Sequence, residues 1–169
     1  GDEIVGHGPT TAVRQGVLGE AEERQLIETV TRRIAAEEGR RPEGWLGPWI
    51  SQSHVTPDLL THAGYRYQHA WCMDDQPIWF RCREGGKILS VPYPQEVNDI
   101  PSIVGRKDGA AQFADIIVDQ FDEMRELAEK RPLVMGIALH AYIVGQPHRL
   151  RHLKRALRHI ARHRDAIWL

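Results

Sequence analysis

Four stretches of the chain carry residues whose types could do chemistry. The first is IALHAYIVGQPHR, residues 137–149, in which His140 ends an apolar run and faces the loop Gly145-Gln146-Pro147. An imidazole titrates near pH ~6.5, so one at the mouth of an apolar site can act as general acid or base close to neutrality. The bland alternative is a structural histidine. The second is CMDDQPIW, residues 72–79, which sets Asp74 beside Asp75 on a proline-bounded loop. Adjacent carboxylates there are either solvated surface or, next to a buried strand, able to raise one another's pKa or orient a histidine. The third is EIVGHG, residues 3–8, where Gly6 and Gly8 flank His7 and leave room for a ligand or a second backbone. The fourth is GWLGPWIS, residues 44–51, whose Trp45 and Trp49 make either an apolar stacking wall or part of the core.

These stretches need elements to position them. Residues 20–38 place Leu26, Ile27, Val30 and Ile34 at helical spacing, and Gly39 follows as a stop. Thr56-Pro57 predicts a helix start with Thr as N-cap and Pro as the first helical residue. Residues 110–129 repeat Phe113, Ile116, Ile117, Phe121, Met124 and Leu127 on one face, and 147–163 do the same with Leu150, Leu153, Leu157 and Ile160. Strand composition marks 44–50, 65–71 (YRYQHAW) and 86–94 (GKILSVPYP). The continuous apolar run 132–140 predicts a parallel strand covered on both faces, and the terminal AIWL a further buried strand. Strands alternating with helices predict a parallel β/α architecture, with ligands received where strands end and the following loops begin.

Composition bounds the rest. A chain of 169 residues, 41% hydrophobic and 27% charged, has the makeup of one globular domain. A net charge of −1 gives no global attraction to phosphate or lipid. Helix 110–129 is rich in Asp and Glu, whereas 147–163 carries Arg149, Arg151, Lys154, Arg155, Arg158 and Arg162. The basic helix has no interleaved aromatic, so complementary solvated faces are expected and a nucleic-acid surface is not. No run approaches the length of a membrane span, and no membrane partner is expected. Cys72 and Cys82 form no CxxC pair, which points to a reducing, cytoplasmic setting.

Taken in order, GHG, GWLGPWISQSHVTPDLL, MDDQPIW, VPYPQEVNDIP, FADIIVDQFDEM and GIALHAYIVGQPHR resemble the polysaccharide deacetylase superfamily, in its branch around the metal-independent allantoinases. The resemblance covers nearly the whole chain and implies a distorted parallel (β/α) barrel, incomplete at both ends, that residues 1–169 form as one partial catalytic domain. It implies hydrolysis of an amide C–N bond. Metal-dependent relatives take a base and a ligand from a first-strand aspartate pair and two imidazoles from an HxxxH pair. Here the spacing from His7 leads to Thr11, a poor zinc donor, so the resemblance implies no cofactor or a weakly bound divalent metal held by His7. Ala70 stands where relatives tend to have an aspartate.

The expected function is hydrolysis of a non-peptide C–N bond in a small-molecule amide or saccharide. His140 is the general acid or base, Asp75 beside Asp74 holds or tunes it, and His7 positions water or substrate. Trp45, Trp49, Trp79 and Tyr142 are the expected substrate contacts. The alternatives are a zinc-dependent saccharide N-deacetylase and a catalytically inactive fragment or binding module. An open barrel would leave strand edges unpaired, so self-association into a homo-oligomer is expected.

Overall fold

The computed structural model describes residues 2–69 and 73–169; Ala70, Trp71 and Cys72 lie outside the described residues. By compactness the chain divides into two units, Gly1–Pro92 and Tyr93–Leu169, each with its own core.

In the first unit, helix α1 (Glu20–Glu38) buries Ile27 and Val30 and ends on Gly39 at φ 69°, a left-handed stop that glycine adopts freely. Four strands follow: β1 (Gly44–Trp45), β2 (Tyr67–Gln68), β3 (Ile78–Arg81) and β4 (Lys87–Ser90). Their order in the sheet is β1-β2-β4-β3. Both β1–β2 and β2–β4 are parallel, and Gly6 bridges Trp45 in the same sense. The expectation of a purely parallel arrangement is corrected at β3, which runs antiparallel to β4 as a hairpin. The connection through Gly85, at φ 82°, is too short for the helix that a parallel return requires.

Helix α2 (Thr56–His62) starts one residue earlier than the Thr-Pro signal predicts, with Val55 in the capping position. The Thr56 hydroxyl is not free to cap, because it donates to the carboxylate of Glu23. Glu23 is fully buried and also accepts from Gln15 Nε2 (2.7 Å) and Ser53 Oγ (2.6 Å), while Gln15 Oε1 accepts from the Trp45 indole at 2.9 Å. This network ties the first turn of α1 to the start of α2 and to the sheet. Ionised carboxylates survive burial when donors surround them in this way.

In the second unit, helices α3 (Ala110–Leu127) and α5 (Pro147–Ile160) pack through Phe113, Ile117 and Phe121 on one side and Leu153, Ala156 and Ile160 on the other. Burying each large side chain here contributes roughly 1.5–3 kcal/mol. Their charges complement one another as expected: Arg155 pairs with Asp115 at 2.5 Å and His159 with Asp122 at 2.7 Å. The short helix α4 (Ala141–Val144) precedes α5, and a π-helical segment, Ile100–Arg106, precedes α3.

Two strand expectations fail in this unit. The run 132–140 forms a single parallel bridge, Asn98 to Ala138, and Leu139 is exposed. Apolar composition supplies no hydrogen-bond partner, and among the described residues the run is paired on one side at one position. The terminal AIWL is likewise not a strand, with Ile167, Trp168 and Leu169 exposed. Among the described residues no helix is long and apolar enough to cross a membrane.

Candidate active site

Parallel pairing determines which residues meet at the ends of strands. In the first unit, Gly6, β1, β2 and β4 run the same way, so the segments that follow them leave the sheet on one side. His7 follows Gly6, and its Nδ1 lies 2.6 Å from the Leu46 carbonyl just beyond β1, a contact in which the ring N–H donates. A Cβ on Gly6 would stand 2.3 Å from the Trp45 ring, so the glycine is required by a neighbouring side chain. His69 follows β2; burial pushes its pKa down, and a hydrogen bond with the Val91 backbone offsets part of that.

The predicted aromatic residues separate into two kinds. Trp45 is fully buried, packed edge-on against Tyr65 at 5.4 Å, and offers no face to a ligand; its assignment as a substrate contact is corrected to a core role. Trp49 is largely exposed and sits at φ 60°, followed by Ile50 at φ 54°. Two consecutive non-glycine residues in the left-handed region hold about 1–3 kcal/mol of strain each. The Trp49 indole donates to the Thr11 carbonyl at 2.7 Å, and the Arg14 guanidinium lies 5.2 Å from the ring centre. Trp79 is exposed beneath the Lys87 ammonium at 4.3 Å and, with Met73, His54 and Arg83, lines an open cleft of about 580 Å³.

The acidic pair is turned on itself. Asp74 Oδ1 accepts from the Asp75 amide at 2.7 Å, and its Oδ2 accepts from Gln76 Nε2 at 3.2 Å. Asp74 is exposed and Asp75 half-buried.

In the second unit the same strand-end logic joins two groups that are 41 residues apart. Ala138 N donates to Val97 O and Asp99 N to Ala138 O, so Asp99 and His140 emerge side by side from a parallel pair. The Asp99 carboxylate is completely buried. Its Oδ2 accepts from the His140 backbone amide at 2.7 Å and its Oδ1 contacts His140 Nδ1 at 2.6 Å. An ionised carboxylate only accepts, so the ring proton sits on Nδ1 and the lone pair on Nε2. The His140 side chain is 32% exposed, and Tyr142, itself exposed, stands edge-on at 5.7 Å. Burial first and the Asp99 charge second raise the pKa of Tyr93.

Sequence reasoning missed Asp99. It lies in VPYPQEVNDIP, a stretch noticed for its resemblance, and its role depends on the pairing of 97–99 with 137–139. The carboxylate on His140 Nδ1 is therefore Asp99 and not Asp75.

His7 Nδ1 is engaged by the Leu46 carbonyl, which leaves Nε2 as its open ring nitrogen; the side chain four residues on is the hydroxyl of Thr11, and among the described residues His7 belongs to no cluster of three metal-type donors. The one such cluster among the described residues is Asp122, His159 and His163.

No protein-family model matches the chain. The chain is 21% identical, over 200 residues, to the peptidoglycan deacetylase of Helicobacter pylori, an alignment that covers all of this chain and 67% of that protein. Among solved structures, Puue allantoinase superposes with a TM-score of 0.87 at 27% identity, over 97% of this chain and 54% of its own. A probable polysaccharide deacetylase from Pseudomonas aeruginosa PAO1 superposes at 0.85 with 27% identity, over 99% of this chain and 56% of its own. The chain thus spans little more than half of the solved structures it matches. Its α/β elements and partial mixed sheet agree with an incomplete barrel. The chain is accordingly similar in sequence to a peptidoglycan deacetylase, and over nearly its whole length it shares the fold of Puue allantoinase and of a probable polysaccharide deacetylase.

Proposed function

We propose that this chain is part of a hydrolase of non-peptide C–N bonds, acting on a small-molecule amide or a saccharide N-acetyl group, with His140 as general acid and base and Asp99 as the group that positions it. The observation that carries this reading is the buried Asp99 carboxylate, bound to both the backbone amide and Nδ1 of a partly exposed histidine. The neutral imidazole, with its lone pair on Nε2, takes a proton from water as the oxygen adds to the amide carbonyl. The imidazolium so formed is stabilised by Asp99 and returns the proton to the leaving nitrogen as the C–N bond breaks, which yields a carboxylic acid and an amine, the acid then losing its proton to solvent. General acid–base catalysis of this kind contributes typically about 10²–10⁴-fold.

Tyr142, edge-on to His140 at 5.7 Å, is the substrate contact beside this dyad. Within the first unit, taken by itself, Trp49 and Trp79 are the predicted aromatic contacts whose exposure leaves a face for a ligand. His7 is the orienting group proposed for that unit. The names of the relatives supply the two substrate classes, a ring amide and an N-acetylated saccharide.

The test uses the full-length protein, assayed for ring opening of allantoin and for acetate release from N-acetylated saccharides. His140→Ala is expected to abolish whichever activity the wild type shows while the circular dichroism spectrum and unfolding midpoint stay in place. A turnover-competent His140→Ala protein would remove the assignment.

A further inference from the structure

We propose that Asp122, His159 and His163 form a divalent-cation site of the zinc class that clamps α3 to α5, separate from the His140–Asp99 dyad. The three side chains each offer a ligand atom within 4.8 Å of the other two, and all three are half-buried. His159 lies in the last turn of α5 and His163 just beyond its end, folded back so that the two rings stand 5.1 Å apart; Asp122 projects from α3 to meet His159. Two imidazoles and a carboxylate make the three-ligand set of open zinc sites, whereas calcium and magnesium prefer all-oxygen surroundings.

Three further features prepare the site. His163 Nδ1 lies 3.1 Å from the His159 carbonyl, so the backbone accepts its proton and leaves Nε2 with a lone pair, the arrangement seen when an outer partner orients a metal-binding histidine. The Phe121 ring stands 6.0 Å from His159 and 5.2 Å from His163, a buried apolar wall that screens one side from water. The cluster also lies at the C-terminal end of a helix, where the backbone dipole favours a cation.

In the structure His159 Nε2 and Asp122 Oδ1 are 2.7 Å apart and share a proton. A zinc ion replaces that proton. Bond lengths near 2.0–2.1 Å put tetrahedral ligand atoms about 3.4 Å apart. The His159–Asp122 pair therefore opens by about 0.7 Å and the wider separations close, movements within reach of side-chain rotation. The neighbouring Arg125 is already neutralised by Asp165 at 2.7 Å, so it does not add an unbalanced positive charge beside the ion.

Titration of the chelator-stripped full-length protein with Zn²⁺, read by calorimetry and by thermal unfolding, tests the site without reference to activity. The expected result is saturable binding of one ion per chain, a raised unfolding temperature, and no effect of Mg²⁺ at the same concentration. Asp122→Asn keeps the acceptor toward His159 while it removes the negative ligand, and His163→Gln lies beyond the last residue of α5, so both variants keep the fold. Each is expected to weaken zinc binding at least 10-fold and to remove the thermal shift, whereas His7→Asn leaves both unchanged. Absence of saturable binding, or wild-type affinity in both variants, would overturn the proposal.

Discussion

Glu23 in the first unit and Asp99 in the second are both carboxylates with no exposed surface, and each is fully engaged by donors. The difference lies at the far end of the hydrogen bonds. Glu23 is met by Gln15 and Thr56, themselves buried, and by Ser53, so its charge holds one part of the scaffold to another. Asp99 is met by an imidazole that reaches solvent, so its charge is transmitted to a group that can exchange protons with something outside. Burial of an acid alone therefore says little about function; exposure of its partner separates a brace from a positioning residue.

Substitutions can break this comparison. Asp99→Asn keeps the shape of the side chain but places an amide N–H where a carboxylate oxygen stood, which reverses the tautomer of His140. Activity of the full-length enzyme is expected to fall about 10³-fold, equivalent to about 4 kcal/mol, with little change in the urea midpoint. Retained activity would move Asp99 into the same class as Glu23. Glu23→Ala is expected to act the opposite way, leaving three donors without an acceptor and lowering the unfolding free energy by roughly 3 kcal/mol, while the folded fraction keeps its turnover. Urea unfolding followed by fluorescence reads the first quantity, and activity normalised to folded protein the second.

A smaller effect sharpens the comparison through pH. His69 is held below its ordinary pKa chiefly by burial, so the unfolded chain binds its proton first as pH falls. Its contribution is fully present above about pH 6.5 and is lost as the pH drops through and below that value, with a slope of up to about 1.4 kcal/mol per pH unit. Unfolding midpoints between pH 7.5 and 5 should fall more steeply for the wild type than for His69→Gln. Parallel curves would show that this histidine is not desolvated.

Helical periodicity was the most readable signal in the chain. Helices α1, α3 and α5 lie where their apolar spacing puts them, because a 3.6-residue repeat commits a segment to one conformation and one buried face before any partner is known. The hairpin was half legible: the strand expected over 86–94 holds β4, whereas 72–79 was expected to be loop and its last two residues begin β3, Ile78–Arg81. The run 132–140 shows the opposite case. Its apolar composition promised a covered strand, but strands are defined by pairing, and one bridge at Ala138 is what the fold provides.

The site divides along the same line. His140 stood out in the sequence as an imidazole ending an apolar run before a Gly-Gln-Pro loop, and the structure adds the buried carboxylate on its Nδ1. Trp45 and Trp49, four residues apart in one motif, were indistinguishable in the sequence, yet one is sealed in the core and the other exposed on a strained turn.

By itself the amino-acid sequence determined the helices, the absence of a strong global charge, the resemblance to C–N hydrolases and the identity of the candidate acid–base histidine, all properties carried by residues near one another in the chain. Only the tertiary structure decided that Asp99 is that histidine's partner and that Asp122 meets His159 and His163. Both constellations join positions about 40 residues apart, and such contacts depend on strand pairing and helix packing that no local pattern encodes.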